Sequence, residues 1–303
     1  MKPHRGVLYG LLAGTLWGLD GVLLGRADSN GVLRAALIAA CIHDGLAALW
    51  LFAVNAKNKK IKMYRNCLFS RQFLTVFLCA LFGGAAGMTC NIIAINMAGA
   101  SSACAVTSAY PVAGAVLGAL FLHEKLTASS AAGIVLVAAG AAVIGFSENA
   151  AATALPTGLS FAAAAMLCWA LEGVISKSAM VTTDSDILIG SRELLSCLIY
   201  LAALLILPPS EGFAKDGLPF IIAASAAGAF SYFCWYRSMD ISGVTVGMSL
   251  NATYALWAVL LDIPVNGVSF SPQIFAGAVI ILSGTLLTIY SDRKKEKQDE
   301  QQK

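Results

Sequence analysis

Two short segments of the chain each place an acid three residues after a tryptophan, inside an otherwise apolar run. They are "TLWGLDGVL", with Trp17 and Asp20, and "LCWALEGVI", with Trp169 and Glu172. Residues at i and i+3 share one face of a helix, so each pair presents an indole and a carboxylate to the same side. A ring face attracts a cation by about 0.5–2 kcal/mol, and a carboxylate balances its charge. The pairing predicts a site for an organic cation.

Two tyrosines have the same spacing to a polar residue. Tyr110 follows Thr107 by three positions, and Tyr254 follows Asn251 by three. Together with the two tryptophans, they offer up to four rings and two acids that can converge on one cavity. A quaternary ammonium group donates no N–H hydrogen bonds, so rings suit it better than hydroxyl groups do. The predicted ligand is therefore a quaternary ammonium compound.

Further candidates come from the segments "SYFCWYRSMD" and "GMTCN". Tyr232 and Tyr236 lie one helical turn apart and are favoured as cavity residues, whereas the nearby Arg237 indicates a membrane interface for other aromatic residues of this segment. Asn91 could accept a substrate hydroxyl or bridge two helices. The predicted substrate-binding residues are Trp17, Asp20, Asn91, Tyr110, Trp169, Glu172, Tyr232, Tyr236, Asn251 and Tyr254.

Charged side chains inside apolar runs cost about 2.5–3.5 kcal/mol each at a helix centre, so they usually face a cavity or a partner. Glu172 either forms a structural ion pair with Arg192 or belongs to the site. Its counterpart Asp20 has no obvious basic neighbour, which favours the site. His43 beside Asp44 indicates a hydrogen bond between helices or a proton path. The predicted proton-coupling residues are Glu172, Asp20, His43, Asp44, Arg192 and Glu193.

The composition identifies the elements that carry these residues. Of 303 residues, 58% are hydrophobic and 12% are charged, whereas soluble domains average about 25% charged residues. A spanning helix needs about 20 mostly apolar residues. The predicted fold is an all-α integral membrane protein with ten transmembrane helices, near residues 6–25, 33–54, 72–95, 99–122, 127–147, 157–176, 186–208, 217–237, 241–263 and 270–290.

Lysine and arginine predict the orientation, because cytoplasmic loops retain them. With the N-terminus inside, sixteen of the 20 fall on the cytoplasmic side and three on the outer side, while Arg192 lies within a span. Both termini are therefore predicted to be cytoplasmic. The lysine-rich segments 57–65 and 293–303 are interpreted as topology signals rather than as lipid-headgroup or nucleic-acid sites.

The chain also matches itself. Residues 15–23 align with residues 167–175 at an offset of 152 positions, and Tyr110 aligns with Tyr254 at an offset of 144. We interpret this as a duplication, with a first five-helix repeat in residues 1–147, a second in residues 157–290, and a charged cytoplasmic tail in residues 291–303. An odd number of spans gives the repeats opposite orientations. Inverted repeats are typical of secondary transporters that bind substrate near the bilayer midplane.

Several classes of function are not indicated by the sequence. It has no phosphate-binding glycine loop, no nucleophile elbow and no zinc-binding helix, so an enzyme is not predicted. The eight cysteines are scattered without a CxxC pair, which predicts no metal site and no cofactor. The predicted partners are a small cation, protons and membrane lipid, and nucleic acid is not among them.

The segments "AYPVAGAVLGALFLHEKLT" and "GIVLVAAGAAVI", with the ten spans and the duplication, resemble the drug/metabolite transporter superfamily of EamA type over nearly the whole chain. "CWALEGVISKSAM" and "LNATYALW" are similar to the bacterial Lic-type choline permeases. The resemblance implies uptake of choline with protons, by alternating access across the bacterial inner membrane. It also implies an aromatic box of Trp17, Tyr110, Trp169 and Tyr254, with Glu172 as the anionic or proton-carrying group.

Asp20 departs from the pattern of these permeases, in which a small residue is expected. A second acid could serve a diamine, a primary amine or a second proton. The alternatives within transport are exporters of amino acids, amines or toxic cations. A membrane sensor or scaffold that transports nothing is a further alternative, but it would gain little from buried acids.

Overall fold

The computed structural model describes residues 3–27, 33–98, 100–124, 126–145, 155–208, 215–266 and 272–301, and within these ranges the chain is helical without a strand. The α-helices are α1 (Pro3–Gly25), α2 (Leu33–Lys57), α3 (Ile61–Leu68), α4 (Phe73–Cys79), α5 (Thr89–Ala98), α6 (Ala100–Thr107), α7 (Tyr110–Phe121), α8 (Ala128–Gly145), α9 (Leu155–Ala179), α10 (Ser185–Ile206), α11 (Leu218–Ser242), α12 (Val244–Asn251), α13 (Tyr254–Asn266) and α14 (Pro272–Gln301). The predicted boundaries at residues 1, 99, 147, 270 and 303 lie outside the described residues.

Seven helical stretches are long and apolar enough to cross a bilayer, which confirms the prediction of an all-helical, multi-pass membrane protein. They are His4–Gly25, Leu33–Lys57, Phe73–Ala98, Pro156–Ala179, Ser185–Ile206, Leu218–Ser242 and Val244–Val265. Three shorter apolar helices are Tyr110–Phe121, Ala128–Val143 and Phe275–Ser291. Each of these ten stretches overlaps one of the predicted spans.

Two predicted spans are each interrupted by a two-residue turn. The span near 99–122 breaks between α6 and α7, and the span near 241–263 breaks between α12 and α13. Pro111 lies in the first turn of α7. It has no N–H to donate to the carbonyl of Thr107, four residues earlier, so a continuous helix would lack this hydrogen bond. In the second break, the Thr253 hydroxyl donates a hydrogen bond to the Leu250 carbonyl at 2.8 Å, and such local bonds compete with the helical ladder.

A π-helical segment, Ala80–Met88, joins α4 to α5, where the sequence predicts one uniform span. Its glycines let other helices approach closely. A Cβ atom at Gly83 would overlap the Glu172 carboxylate, and one at Gly87 would lie 2.8 Å from Trp169 Nε1. π-Helical segments frequently occur at functional sites, and this one borders α9, which carries both Trp169 and Glu172.

The helices pack in pairs that join the two halves of the chain. Helix α1 packs against α11 and α13, α9 against α5 and α6, α2 against α10, and α8 against α14. Small residues allow the close approach: a Cβ atom at Gly18 in α1 would lie 2.7 Å from the Ala258 nitrogen in α13, and one at Gly140 in α8 would lie 2.8 Å from the Gly277 carbonyl in α14.

Candidate functional site

A small cavity lies among helices from both halves of the chain. Six aromatic and two polar side chains line it, and all eight are buried. They are Trp17, Tyr110, Trp169, Ser231, Tyr232, Trp235, Asn251 and Tyr254, and we call this set the aromatic cage. The cavity measures about 10 Å³, which is room for a single water molecule. A quaternary ammonium group is larger, so the cage must expand to admit one.

The rings of the cage contact one another. Trp17 meets Trp169 edge to face, with ring centroids 5.6 Å apart and planes at 82°, and its ring centroid lies 4.9 Å from that of Tyr232. Trp235 meets Tyr110 edge to face at 6.0 Å. These distances fall within the range of favourable aromatic pairs, about 4.5–7 Å. The rings therefore close over the cavity in this conformation.

Hydrogen bonds hold the cage rings in place. The Trp169 indole donates to the Gly83 carbonyl of the π-helical segment at 3.1 Å. Tyr254 donates to Thr107 Oγ1 at 2.7 Å, while Asn251 donates through Nδ2 to the Tyr110 hydroxyl at 2.9 Å. Tyr110 and Tyr254 are the first residues of α7 and α13, so both tyrosines lie directly at the two helix breaks. Each break thus positions one ring of the cage.

A buried arginine lies against the cage. The Arg192 guanidinium stacks 4.6 Å from the centroid of the Tyr232 ring. Its Nε donates to Glu172 Oε1 at 2.8 Å, and its Nη1 donates to Glu193 Oε1 at 2.5 Å. Glu172 Oε1 also accepts a hydrogen bond from the Tyr236 hydroxyl at 2.8 Å. Of the two interpretations of Glu172, the ion pair with Arg192 is the one that the structure contains.

The second buried charge group joins α1 to α2. His43 contacts Asp20 Oδ1 through Nε2 and Asp44 Oδ1 through Nδ1, both at 2.9 Å. The three side chains are at most 1% exposed. The expectation that Asp20 has no basic neighbour was therefore wrong. The contact joins positions 23 residues apart on different helices, so local spacing does not predict it. Asp44 Oδ2 lies 3.6 Å from Arg192 Nη1, which connects this group to the first.

The predicted site residues thus divide into two neighbouring groups. The cage contains six of the ten predicted substrate-binding residues, namely Trp17, Tyr110, Trp169, Tyr232, Asn251 and Tyr254. Asp20, Glu172 and Tyr236 belong to the buried charge groups instead and do not line the cavity. Asn91 is buried in α5 and does not line the cavity either. The expected convergence of rings and acids on one cavity is accordingly present for the rings alone.

Two residues of the cage escaped the sequence analysis. Trp235 and Ser231 lie one helical turn apart on α11, and Trp235 follows Tyr232 by three positions, so all three share one face. That spacing was available in the sequence. The nearby Arg237 pointed to a membrane interface, yet the Trp235 side chain is only 3% exposed.

A polar network ties together the helix ends on the side where α1 begins. Asp186 accepts from Arg237 Nε at 2.7 Å and from Arg237 Nη2 at 2.6 Å, and it also accepts from Lys60 Nζ at 2.7 Å. Lys60 donates to Asp184 as well. Partial burial lowers the pKa of Lys60, but its hydrogen bonds to Asp184 and Asp186 outweigh that effect and hold the pKa above the ordinary value of 10.5.

Comparison with known proteins agrees with this architecture. The family model described as the EamA-like transporter family matches residues 4–146 and again residues 156–290. Protein LicB of Haemophilus influenzae is 24% identical over 291 residues, which cover 94% of this chain and 98% of LicB. A protein crystal structure with 18% sequence identity has a TM-score of 0.75 and shares the fold over 96% of this chain and 98% of its own. The chain therefore belongs to the EamA-like transporter family, whose members are membrane transporters of the drug/metabolite superfamily, and it resembles a Lic-type protein, as its motifs predicted.

Proposed function

We propose that the protein imports choline or a related quaternary ammonium compound across the bacterial inner membrane, coupled to protons and by alternating access. The observation that carries this proposal is the aromatic cage, in which six ring systems surround one buried cavity. Ring faces attract a cation that has no N–H donors, at about 0.5–2 kcal/mol for each ring. The similarity to LicB and the resemblance to choline permeases point to the same class of substrate.

The composition of the cage favours a quaternary ammonium over a primary amine or a diamine. A primary ammonium carries three N–H donors that require acceptors after burial. The nearby acids do not line the cavity, since Glu172 bonds Arg192 and Asp20 bonds His43 instead. A methylated cation needs only ring faces and the exclusion of water, and the cage supplies both.

The charge groups keep the neighbourhood of the cage from repelling a cation. Arg192 is permanently charged and stacks on Tyr232, a cage residue. Its pairing with Glu172 and Glu193 offsets that positive charge. In this proposal, Glu172 acts on the substrate through Arg192 and does not contact the substrate directly.

The balance of buried charge supports proton coupling. Among the described residues, the four carboxylic acids of Asp20, Asp44, Glu172 and Glu193 have Arg192 and His43 as their cationic partners. All six side chains are at most 1% exposed. With every acid ionised and His43 protonated, the cluster carries two net negative charges. Such charge is costly inside a membrane, so the cluster favours the binding of protons. Glu172 Oε2 and Glu193 Oε2 make no hydrogen bond to the described residues and are free to accept them.

The packing of the helices supports an inverted repeat with ten spans. In the proposed repeat, α1 corresponds to α9 and α11 to α5, so the contact of α1 with α11 has its counterpart in the contact of α9 with α5. The α2–α10 and α8–α14 contacts each join two corresponding helices. The helix breaks occur at residues 108–109 and 252–253, which differ by the repeat offset of 144. Broken helices at matching positions of two repeats are typical of substrate sites in transporters. We assign residues 1–147 and 157–290 to the two repeats, with both termini and the tail 291–303 in the cytoplasm.

In this arrangement the network around Asp186 lies at the cytoplasmic end and joins α10 and α11 to the segment before α3. It keeps the cytoplasmic path closed while the cage rings cover the cavity. Release of substrate into the cytoplasm then requires these contacts to separate, and the relative motion of the two repeats supplies that step.

Uptake of radiolabelled choline into proteoliposomes tests the proposal. We expect uptake driven by an inside-negative potential, because one charge moving through 100 mV gains about 2.3 kcal/mol, or roughly fiftyfold accumulation. An inward proton gradient should increase the initial rate further. The Trp17→Leu variant should reduce uptake at low choline concentration, while Trp50→Leu, which changes a 44% exposed tryptophan of α2, should leave it unchanged. Absence of choline uptake together with transport of another amine would refute the choline assignment.

A further inference from the structure

We infer that the cage contains a hydroxyl-binding subsite formed by Asn251 and Trp235, so that the preferred substrate is a quaternary ammonium bearing a hydroxyl group close to its cationic head. This inference rests on the proposed function and adds to it the polar half of the ligand. Two polar atoms of residues that line the cavity carry it: an acceptor on Asn251 and a donor on Trp235. Neither atom has a hydrogen-bond partner among the described residues.

The orientation of the Asn251 amide follows from its neighbours. The Tyr110 hydroxyl donates its single proton to the Met248 carbonyl at 3.2 Å, so it can only accept from Asn251. The amide must therefore donate to Tyr110 through Nδ2, and its oxygen is left as a free acceptor. Asn251 is only 7% exposed, and a buried carbonyl oxygen in such a position is expected to have a partner.

The Trp235 indole provides a complementary donor. Its ring is held between Tyr110 and Tyr236, with centroids at 6.0 and 5.5 Å, and the residue is 3% exposed. Its Nε1–H has no acceptor among the described residues. By contrast, the Nε1–H of Trp169, in the same cage, is bonded to the Gly83 carbonyl. One cage tryptophan is thus fixed to the protein, and the other is available to a ligand.

A hydroxyl group matches both atoms. It donates one proton and accepts through its lone pairs, so it can donate to Asn251 Oδ1 while it accepts from Trp235 Nε1. Both side chains border a cavity with room for a single water molecule, which is also the size of a hydroxyl oxygen. An alkyl group would leave both atoms unpaired. A carboxylate could accept a hydrogen bond from Trp235 Nε1. It has no proton to donate to Asn251 Oδ1, however, so two acceptor oxygens would face each other.

The test is a series of three ligands whose binding to the purified full-length protein is measured by calorimetry. The ligands are choline, propyltrimethylammonium, in which a methyl group replaces the hydroxyl, and glycine betaine, in which a carboxylate replaces the hydroxymethyl group. We expect choline to bind at least about tenfold more tightly than propyltrimethylammonium, because loss of the hydroxyl leaves two buried polar atoms unpaired. Glycine betaine should bind more weakly than choline.

Two variants assign the preference to these residues. Asn251→Leu removes the acceptor and Trp235→Phe removes the donor but keeps a ring, so each should bring the ratio of choline to propyltrimethylammonium affinity down to about threefold or less. Trp50→Phe, at an exposed site, should leave the ratio unchanged. Equal affinity of the wild-type protein for both cations would overturn the subsite while leaving the proposed function intact. Failure to bind either cation would overturn the proposed function itself.

Discussion

Replacing Glu172 with glutamine tests how the buried ion pair acts on the cage. Glutamine keeps the shape of the side chain and can still accept a hydrogen bond from Arg192 Nε, which lies 2.8 Å from Glu172 Oε1. It removes one negative charge, however, and leaves the guanidinium balanced only by Glu193 and the more distant Asp44. The variant therefore exposes a cation bound in the cage to additional positive charge.

The magnitude follows from the position of Arg192. Its guanidinium carbon lies 4.6 Å from the Tyr232 ring, and a cation bound among the cage rings would lie about 9 Å from it. At an effective dielectric constant of about 20, one uncompensated charge at that distance costs about 1.8 kcal/mol, which weakens binding about twentyfold.

Choline affinity, measured from tryptophan fluorescence in nanodiscs between pH 6 and pH 8, is the assay. The double variant Glu172→Gln with Arg192→Gln removes both charges and should bind choline within about threefold of the wild-type protein. Asp240→Asn removes a carboxylate that is 45% exposed and serves as the matched control. A dissociation constant for Glu172→Gln within twofold of wild type across this pH range would refute the electrostatic role of the pair.

Three further predictions concern the groups around the cage. Gly83→Ala would place a methyl group against the Glu172 carboxylate and should destabilise the protein by about 1–3 kcal/mol in thermal unfolding. Gly21→Ala is the control, because its Cβ would meet its nearest neighbour at 4.0 Å. Equal stability of the two variants would contradict the close packing at Gly83. His43→Gln should lower the melting temperature, because it removes the ring that bridges the Asp20 and Asp44 carboxylates. A melting temperature equal to that of the wild-type protein argues against the bridge. Asp186→Asn should lower the melting temperature by the same amount at pH 6 and pH 9. The raised pKa of Lys60 keeps this partner of Asp186 charged until the pH exceeds about 10.5. Equal melting temperatures of the variant and the wild-type protein at pH 9 would contradict the ion pair between Lys60 and Asp186.

The ring positions of the cage were the most accessible part of the site to sequence reasoning. Trp17 and Trp169 stand out because the internal match repeats them, and Tyr110 and Tyr254 because they share a spacing and an offset. Helical periodicity needs only local information, so it could also group Tyr232 with either Trp235 or Tyr236. Neighbouring residues on a helix point about 100° apart, and the choice between them depends on which helices pack nearby.

The partners of the buried charges could not be predicted with the same success. Contacts such as His43 with Asp20 join different helices, and no spacing rule links residues 23 positions apart. The helix breaks and the π-helical segment escaped for another reason: hydropathy is insensitive to backbone geometry, so an interrupted span resembles a continuous one. Pro111 was a local signal for the first break, whereas the second, at Ala252 and Thr253, contains no proline.

Direct calorimetric titration with choline tests whether the aromatic cage is the binding site for a quaternary ammonium group. We expect the wild-type protein to bind choline and Trp17→Leu to bind it about 2- to 30-fold more weakly, in line with about 0.5–2 kcal/mol for one ring face. The affinity of Trp50→Leu, whose tryptophan is 44% exposed on α2, should be unchanged. Identical dissociation constants for all three proteins would contradict this assignment.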